Sequence, residues 1–154
     1  MTGGGNTALE ESLYLSNICE KVYLIHRREE FKGYPSLEKR VREKENIEVL
    51  LSSQIKEILG EEKVSKILID NGKEQQKTDV SAVFIAIGTI PNSEIFDLEK
   101  TQNGEIITDE RMKCSENGVF ACGDVRNTVL KQIITAASDG AIAAESVMKY
   151  LMEK

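Results

Sequence analysis

The chain has 154 residues, 40% hydrophobic and 30% charged, with 20 Lys plus Arg against 26 Asp plus Glu. Such a length suits one ordinary domain or two small lobes, and a net charge of -6 argues against nucleic acid, whose phosphate backbone needs an extended basic face. No apolar run reaches the roughly 20 residues of a membrane span, Met1 is followed by a Gly run rather than a signal segment, and Cys19, Cys114 and Cys122 are too scattered for a disulfide framework or zinc site. The expectation is a cytoplasmic protein with no metal and no membrane or nucleic-acid partner.

Gly3-Gly4-Gly5-Asn6-Thr7-Ala8 opens the chain, and Leu9, Leu13, Tyr14 and Ile18 follow at helical spacing. This predicts a helix over 6–18, with Asn6 or Thr7 as cap and Glu10 in capping-box position. "KVYLIH", 21–26, reads as a strand covered on both faces. Turn, helix and strand line up as a βαβ unit whose first strand is missing, since Met1 and Thr2 are too few to make it.

From Pro35 a charged stretch keeps Leu37 and Val41 on one side, predicting a surface helix, and "IEVLLSS", 47–53, predicts a strand. Turn signals at Gly60-Glu61-Glu62 and Asp70-Asn71-Gly72 divide the next segment into a three-stranded antiparallel meander able to cover one face of a parallel sheet. "AVFIAIG", 82–88, predicts a fully buried strand, ended by Gly88 and Pro91, with a lobe boundary near Ile90 to Asn92. Beyond it come two short strands, 105–108 and 119–122, and a helix over 129–152. That helix carries Ile133, Ala137, Gly140, Ala141, Ala144, Met148 and Leu151 on one stripe. The fold class is therefore α/β: a Rossmann-like parallel sheet plus a meander over 1–90, followed by a second unit over 91–154.

Gly3, Gly5 and Ala8 form G-x-G-x-x-A at a helix opening. In a dinucleotide site the first Gly makes the turn, the second admits a pyrophosphate to the backbone, and the small third residue permits close helix–sheet packing. A plain Gly-rich turn reads the same way, so the end of the second strand decides. A NAD site places an acidic residue there for the ribose 2'-hydroxyl, about 20 residues on, whereas a NADP site uses arginine. Here stand His26, Arg27 and Arg28, with Lys32 close behind. Guanidinium groups bind phosphate in a planar fork, so the cluster reads as a 2'-phosphate clamp and His26 as a positional, hydrogen-bonding residue. In "GVFACGDV", Gly123-Asp124 presents either a turn or a carboxylate for a sugar or polyol hydroxyl, and Cys122 reads as a small buried residue.

"GGGNTALEESLYLSNICEKVYLIHRREEFKG", "VFIAIGTIPN" and "GVFACGDVRNTVLKQIITAASDGAIAAESVMKYL" together resemble the bacterial low-molecular-weight thioredoxin reductases, flavoproteins of the pyridine nucleotide-disulfide oxidoreductase class. The resemblance implies an NADPH lobe over 1–90 and the C-terminal part of an FAD domain over 91–154. It further implies electron flow from NADPH to FAD to a redox disulfide to thioredoxin. Gly3, Gly5, Asn6, Thr7 and Ala8 fall on the pyrophosphate loop, and His26, Arg27, Arg28 and Lys32 on the HRRxxxR motif, with Lys in place of its last Arg. Gly123, Asp124, Lys131, Gln132 and Ile133 fall on the FAD segment. The family's CxxC and FAD Gly-rich loop have no counterpart in these residues. The expectations are no catalytic residue in this chain, no activity alone, and FAD bound only if a partner chain completes its site. A homo-oligomer formed by strand exchange is a further expectation, with thioredoxin a partner only of the parent enzyme.

Overall fold

The computed structural model describes residues 1–153 and divides into two compact units, Met1–Gly88 and Thr89–Lys154. The first unit contains β1 (Thr2–Gly3), α1 (Asn6–Leu15), β2 (Val22–Ile25), α2 (Pro35–Arg42), β3 (Ile47–Leu50), β4 (Gln54–Leu59), β5 (Lys66–Asp70), β6 (Gln75–Asp79) and β7 (Ile85–Ala86). One sheet runs β3-β2-β1-β7, all parallel; the other is the antiparallel meander β4-β5-β6.

The parallel sheet forms because its strands carry apolar side chains on both faces. On one face Val22 and Leu24 join Ala8, Leu9 and Leu13 of α1 and Leu37 and Val41 of α2 in the main core. On the other, Ile25 packs with Ile67 and Ile69 of the meander, and with Tyr23, Leu50, Ile55 and Val83. The meander thus covers the sheet as its alternation predicts. Leu9, Leu24 and Val41 are fully buried, each worth about 1.5–3 kcal/mol of apolar transfer.

A first strand exists, against the sequence expectation. Two residues suffice because Thr2 pairs on both sides, with Ile25 of β2 and Ile85 of β7. Helix α1 stops at Leu15 rather than residue 18. The C-cap Ser16 and the turn beyond it are tied down by Asn46, whose Nδ2 donates to Ser16 O at 2.8 Å and to Cys19 O at 3.1 Å. Gly5 is the N-cap and no side chain caps the helix, so neither Asn6 nor Thr7 does so. Helix α2 begins with Pro35 at its first position, where the missing N–H costs nothing.

Strand β7 is two residues long and is not buried: Ile85 is 64% exposed and Ile87 74%. It is the edge of its sheet, and among the described residues no other strand pairs with its outer side. The boundary between units falls after Gly88, two residues before the expected Ile90.

In the second unit the predicted strands 105–108 and 119–122 reduce to isolated bridges, Lys100 to Ile106, Ile106 to Arg126 and Lys113 to Phe120. Local turns win here: Asp109 Oδ1 accepts the Arg111 and Lys113 N–H groups, drawing the backbone away from a ladder. Ile106, Cys114 and Ala121 form a small core. A single 3-10 turn, Gly123–Val125, precedes α3 (Ile133–Met152), which starts four residues later than predicted. The stripe that carries Ile133, Met148 and Leu151 is exposed. Asp139 is the buried residue of α3, and the half-buried Ala143, Val147 and Tyr150 lie on the same side. Tyr150 meets Phe120 edge-on, with ring centroids 6.1 Å apart. Cys122 is exposed, contrary to the sequence reading, whereas Cys114 is buried.

Candidate functional site

The strand order places β1 between β2 and β7, so the chain reverses its direction of sheet growth beside β1. Ligands of open α/β sheets bind at such a point, off the carboxyl ends of the strands. A cleft of about 670 Å³ lies there, bounded by Gly3 to Gly5, Thr7, the 26–32 loop, β4 and the end of β7. Gly3, Gly5, Thr7, His26, Arg27, Arg28 and Lys32 all line it; Asn6 and Ala8 do not.

The three glycines have separate reasons to be glycine. Gly3 lies at φ +149°, and a Cβ there would collide with Ala86 O and come within 2.9 Å of Ala8 Cβ. Strand and helix approach so closely at this point that both Gly3 and the small Ala8 are needed. A Cβ on Gly4 would overlap the His26 ring. One on Gly5 would meet nothing within 4 Å, so the protein's own packing does not demand glycine there. That side faces the open cleft.

The start of α1 suits an anion. It carries no acidic residue in its first turn and its amides have no side-chain cap, which leaves N–H donors and the positive end of the dipole available. The Asn6 side chain is directed elsewhere: its Oδ1 accepts the Tyr34 N–H at 2.8 Å.

The 26–34 loop is stitched to this turn. Lys32 and Gly33 N–H groups both donate to Gly4 O, at 2.7 and 3.2 Å. His26 N–H donates to Leu50 O at 2.8 Å, Ser53 N–H to His26 O at 2.9 Å, and Ser52 N–H to Arg28 O at 3.0 Å. The His26 ring is buried, stacks on Phe31 at 5.5 Å, and donates from Nε2 to Glu30 O at 3.1 Å. A carbonyl only accepts, so Nε2 carries the proton. Burial holds the His26 pKa below the usual histidine value, reinforced by Arg28, Arg27 and Lys32. Arg27, Arg28 and Lys32 are exposed, and among the described residues none is in an ion pair.

Three participants lay outside the sequence reading. Gly4 stands at an unconstrained position of the fingerprint; only the extra glycine in the Gly3 to Gly5 run hinted at it. Phe31 gave no signal. Lys56 lines the cleft because the β4–β5 register slips between Ile55 and Glu57, leaving it outside the ladder. Its Nζ stands 3.7 Å from Asp70 Oδ2. The Asp70 pKa is lowered chiefly by the Gly72 N–H, then by Gln75 and Lys56.

In the second unit, Gly123 turns at φ +79° and its N–H donates to Asp139 Oδ2 at 3.1 Å. Arg126 Nε lies 3.5 Å from the same oxygen. Asp124 is exposed and, among the described residues, its carboxylate has no partner. Lys131 is not free: its Nζ contacts Glu105 Oε1 at 2.6 Å, and that bond lowers the Glu105 pKa. Gln132 N–H donates to Thr135 Oγ1 at 3.1 Å, and Ile133 is 90% exposed at the helix start. Among the described residues no acidic, histidine or cysteine group gathers as a metal site, and no helix is long and apolar enough to cross a membrane.

The family description "Pyridine nucleotide-disulphide oxidoreductase" matches residues 1–140. The chain belongs to the pyridine nucleotide-disulphide oxidoreductases. Among relatives within this family, the thioredoxin reductase of Borreliella burgdorferi is 42% identical over 97% of this chain and 47% of its own length. That of Bacillus subtilis is 40% identical over 99% and 50%. The crystal structure of Lactococcus lactis thioredoxin reductase in its FR conformation superposes with a TM-score of 0.78 at 33% identity, covering 99% of this chain and 52% of that one. The chain spans about half the length of the curated oxidoreductases it matches. The family implies a nicotinamide dinucleotide and a flavin, and a Rossmann sheet with a Gly-rich turn at its switch point fits the first of these groups.

Proposed function

We propose that the chain supplies the NADPH site and part of the FAD site of a thioredoxin-reductase-like oxidoreductase. One observation carries the nucleotide reading: the Gly turn at the start of α1 and the unpaired Arg27, Arg28 and Lys32 line the same cleft. The amides of Gly5 and Thr7 hold the pyrophosphate, and the basic residues hold the 2'-phosphate, Arg27 and Arg28 as forks and Lys32 as a point charge. Ala8 and Asn6 act behind that surface, Ala8 by close packing and Asn6 by tethering Tyr34.

When bound in this cleft, NADPH would supply hydride for reduction of a flavin. On the flavin side, Gly123 and Asp124 present a backbone turn and an unpaired carboxylate to the ribitol hydroxyls. Gln132 and Ile133 lie at the start of α3, where the helix dipole favours negative charge, and Lys131 acts through its pair with Glu105. The remaining flavin contacts, the redox disulfide and the thioredoxin contact belong to a complete enzyme. The exposed Ile85, Ile87, Ile133 and Ile134 support further polypeptide of different sequence as their source.

Fluorescence titration with NADPH and NADH tests the first unit. NADPH binds more tightly, and Arg27→Ala with Arg28→Ala removes the difference, about tenfold per lost charge-assisted contact. Equal affinity for the two nucleotides in the unsubstituted chain overturns the reading.

A further inference from the structure

We propose that Asp139 is a positioning residue that holds the Gly123-Asp124 turn in the shape that presents the Asp124 carboxylate to a polyol, with Arg126 as its counter-charge. What Asp124 binds rests on the flavin reading above; the two buried charges have no role in that reading.

Helix α3 is otherwise half-buried or exposed, and its buried residue is a carboxylate. Asp139 Oδ2 accepts the N–H of the buried Gly123 at 3.1 Å. A buried N–H without an acceptor is costly, so this bond decides whether the turn can keep its place. Ala136, one helical turn before Asp139, has its Cβ 3.5 Å from the position a Gly123 Cβ would take, so turn and helix lie in close contact there. At the far end of the turn, Ile106 N–H donates to Val125 O at 2.9 Å and Asn127 N–H to Ile106 O at 3.0 Å. The exposed Asp124 sits between these two anchors.

Arg126 has a different task. Its side chain and that of Asp139 are both 12% exposed, and Nε stands 3.5 Å from Asp139 Oδ2. Among the described residues that buried Nε has no hydrogen-bond partner. Arg126 thus balances charge and leaves the directional bond of Oδ2 to Gly123. A buried pair of this kind roughly repays its own desolvation, so net stability does not account for two charges here. Fixing one conformation of the turn does.

The test follows amide hydrogen exchange and amide shifts by NMR in the full chain, in Asp139→Ala and in Asp139→Asn. In Asp139→Ala, Gly123 is expected to exchange about tenfold faster, the order of one hydrogen bond to a charged group. The amides of Cys114 and Ala121, bonded to Val119 O and Met112 O in the same unit, are expected to hold. A residue that served only the fold would speed all three alike. Asp139→Asn keeps an acceptor and is expected to recover most of the Gly123 protection. If Asp139→Ala does not fold, the shifts in Asp139→Asn decide: Gly123 and Asp124 move, and Cys114 and Ala121 do not. A uniform change across these amides, or a Gly123 amide indifferent to Asp139, overturns the inference. Neither readout needs flavin, so that failure leaves the flavin reading standing. FAD affinity unchanged by Asp124→Ala overturns the flavin reading and leaves the anchoring of the turn intact.

Discussion

The His26 imidazole occupies the space that a β-carbon on Gly4 would require. Two residues 22 positions apart in sequence are thereby a single packing unit, joined further by the Lys32 and Gly33 bonds to Gly4 O.

Gly4→Ala and Gly5→Ala should part company. At Gly4 the new methyl meets the buried ring, so overpacking costs about 1–3 kcal/mol, read as a lower midpoint in urea. At Gly5 the methyl enters open space, and stability changes by under about 1 kcal/mol while nucleotide affinity falls. Equal midpoints for the two variants would show that His26 moves aside without cost.

Stability carries a histidine signature. The folded-state pKa of His26 lies below its unfolded value because of burial and the nearby Arg28, Arg27 and Lys32. The unfolded chain therefore binds more protons as pH falls below about 6.5. Stability contributed by neutral His26 is present above that pH and declines from there toward the folded pKa. The chain should melt lower at pH 5.5 than at pH 7.5, and the part of this difference due to His26 should vanish in His26→Gln. An identical pH slope in the variant would remove His26 as its source.

Lys32→Arg restores fork geometry at the third position of the clamp. NADPH affinity should rise a few-fold against NADH, on the order of 0.5–1.5 kcal/mol for an added hydrogen bond. The gain should shrink as salt is raised, because the site is exposed. A gain equal for both nucleotides would place the side chain away from the 2'-phosphate.

Thiol reactivity separates the cysteines. Cys19 and Cys122 are exposed, whereas Cys114 is buried and its pKa is raised by that burial and then by Asp109. A thiol reagent should modify two cysteines in the native chain and the third only in denaturant. Rapid reaction of Cys114 would mean that the small core around Ile106 and Ala121 opens readily.

Much of the first unit was legible because its signals are local. Alternating and continuous apolar runs mark β2, β3 and the meander, Leu37 and Val41 mark the buried side of α2, and the Gly turn ahead of an apolar-periodic helix marks the dinucleotide fingerprint. Where local signals competed with turns or with exposure, the reading failed. Residues 105–108 and 119–122 are β-prone, yet Asp109 claims the backbone amides beside the first of them. Residues 82–88 are apolar enough for a buried strand, but burial depends on what covers an edge, and apolar composition does not report that.

The sequence by itself determined that an anion-binding turn and a basic cluster exist, and that the second strand ends in His26, Arg27 and Arg28, since each of these is a property of neighbouring residues. Only the tertiary structure decided that they face one cleft, that Asn6 is spent on Tyr34, and that Gly4 and His26 share one space. Those relations depend on the parallel pairing of β1 with β2, which brings together residues that no spacing rule connects.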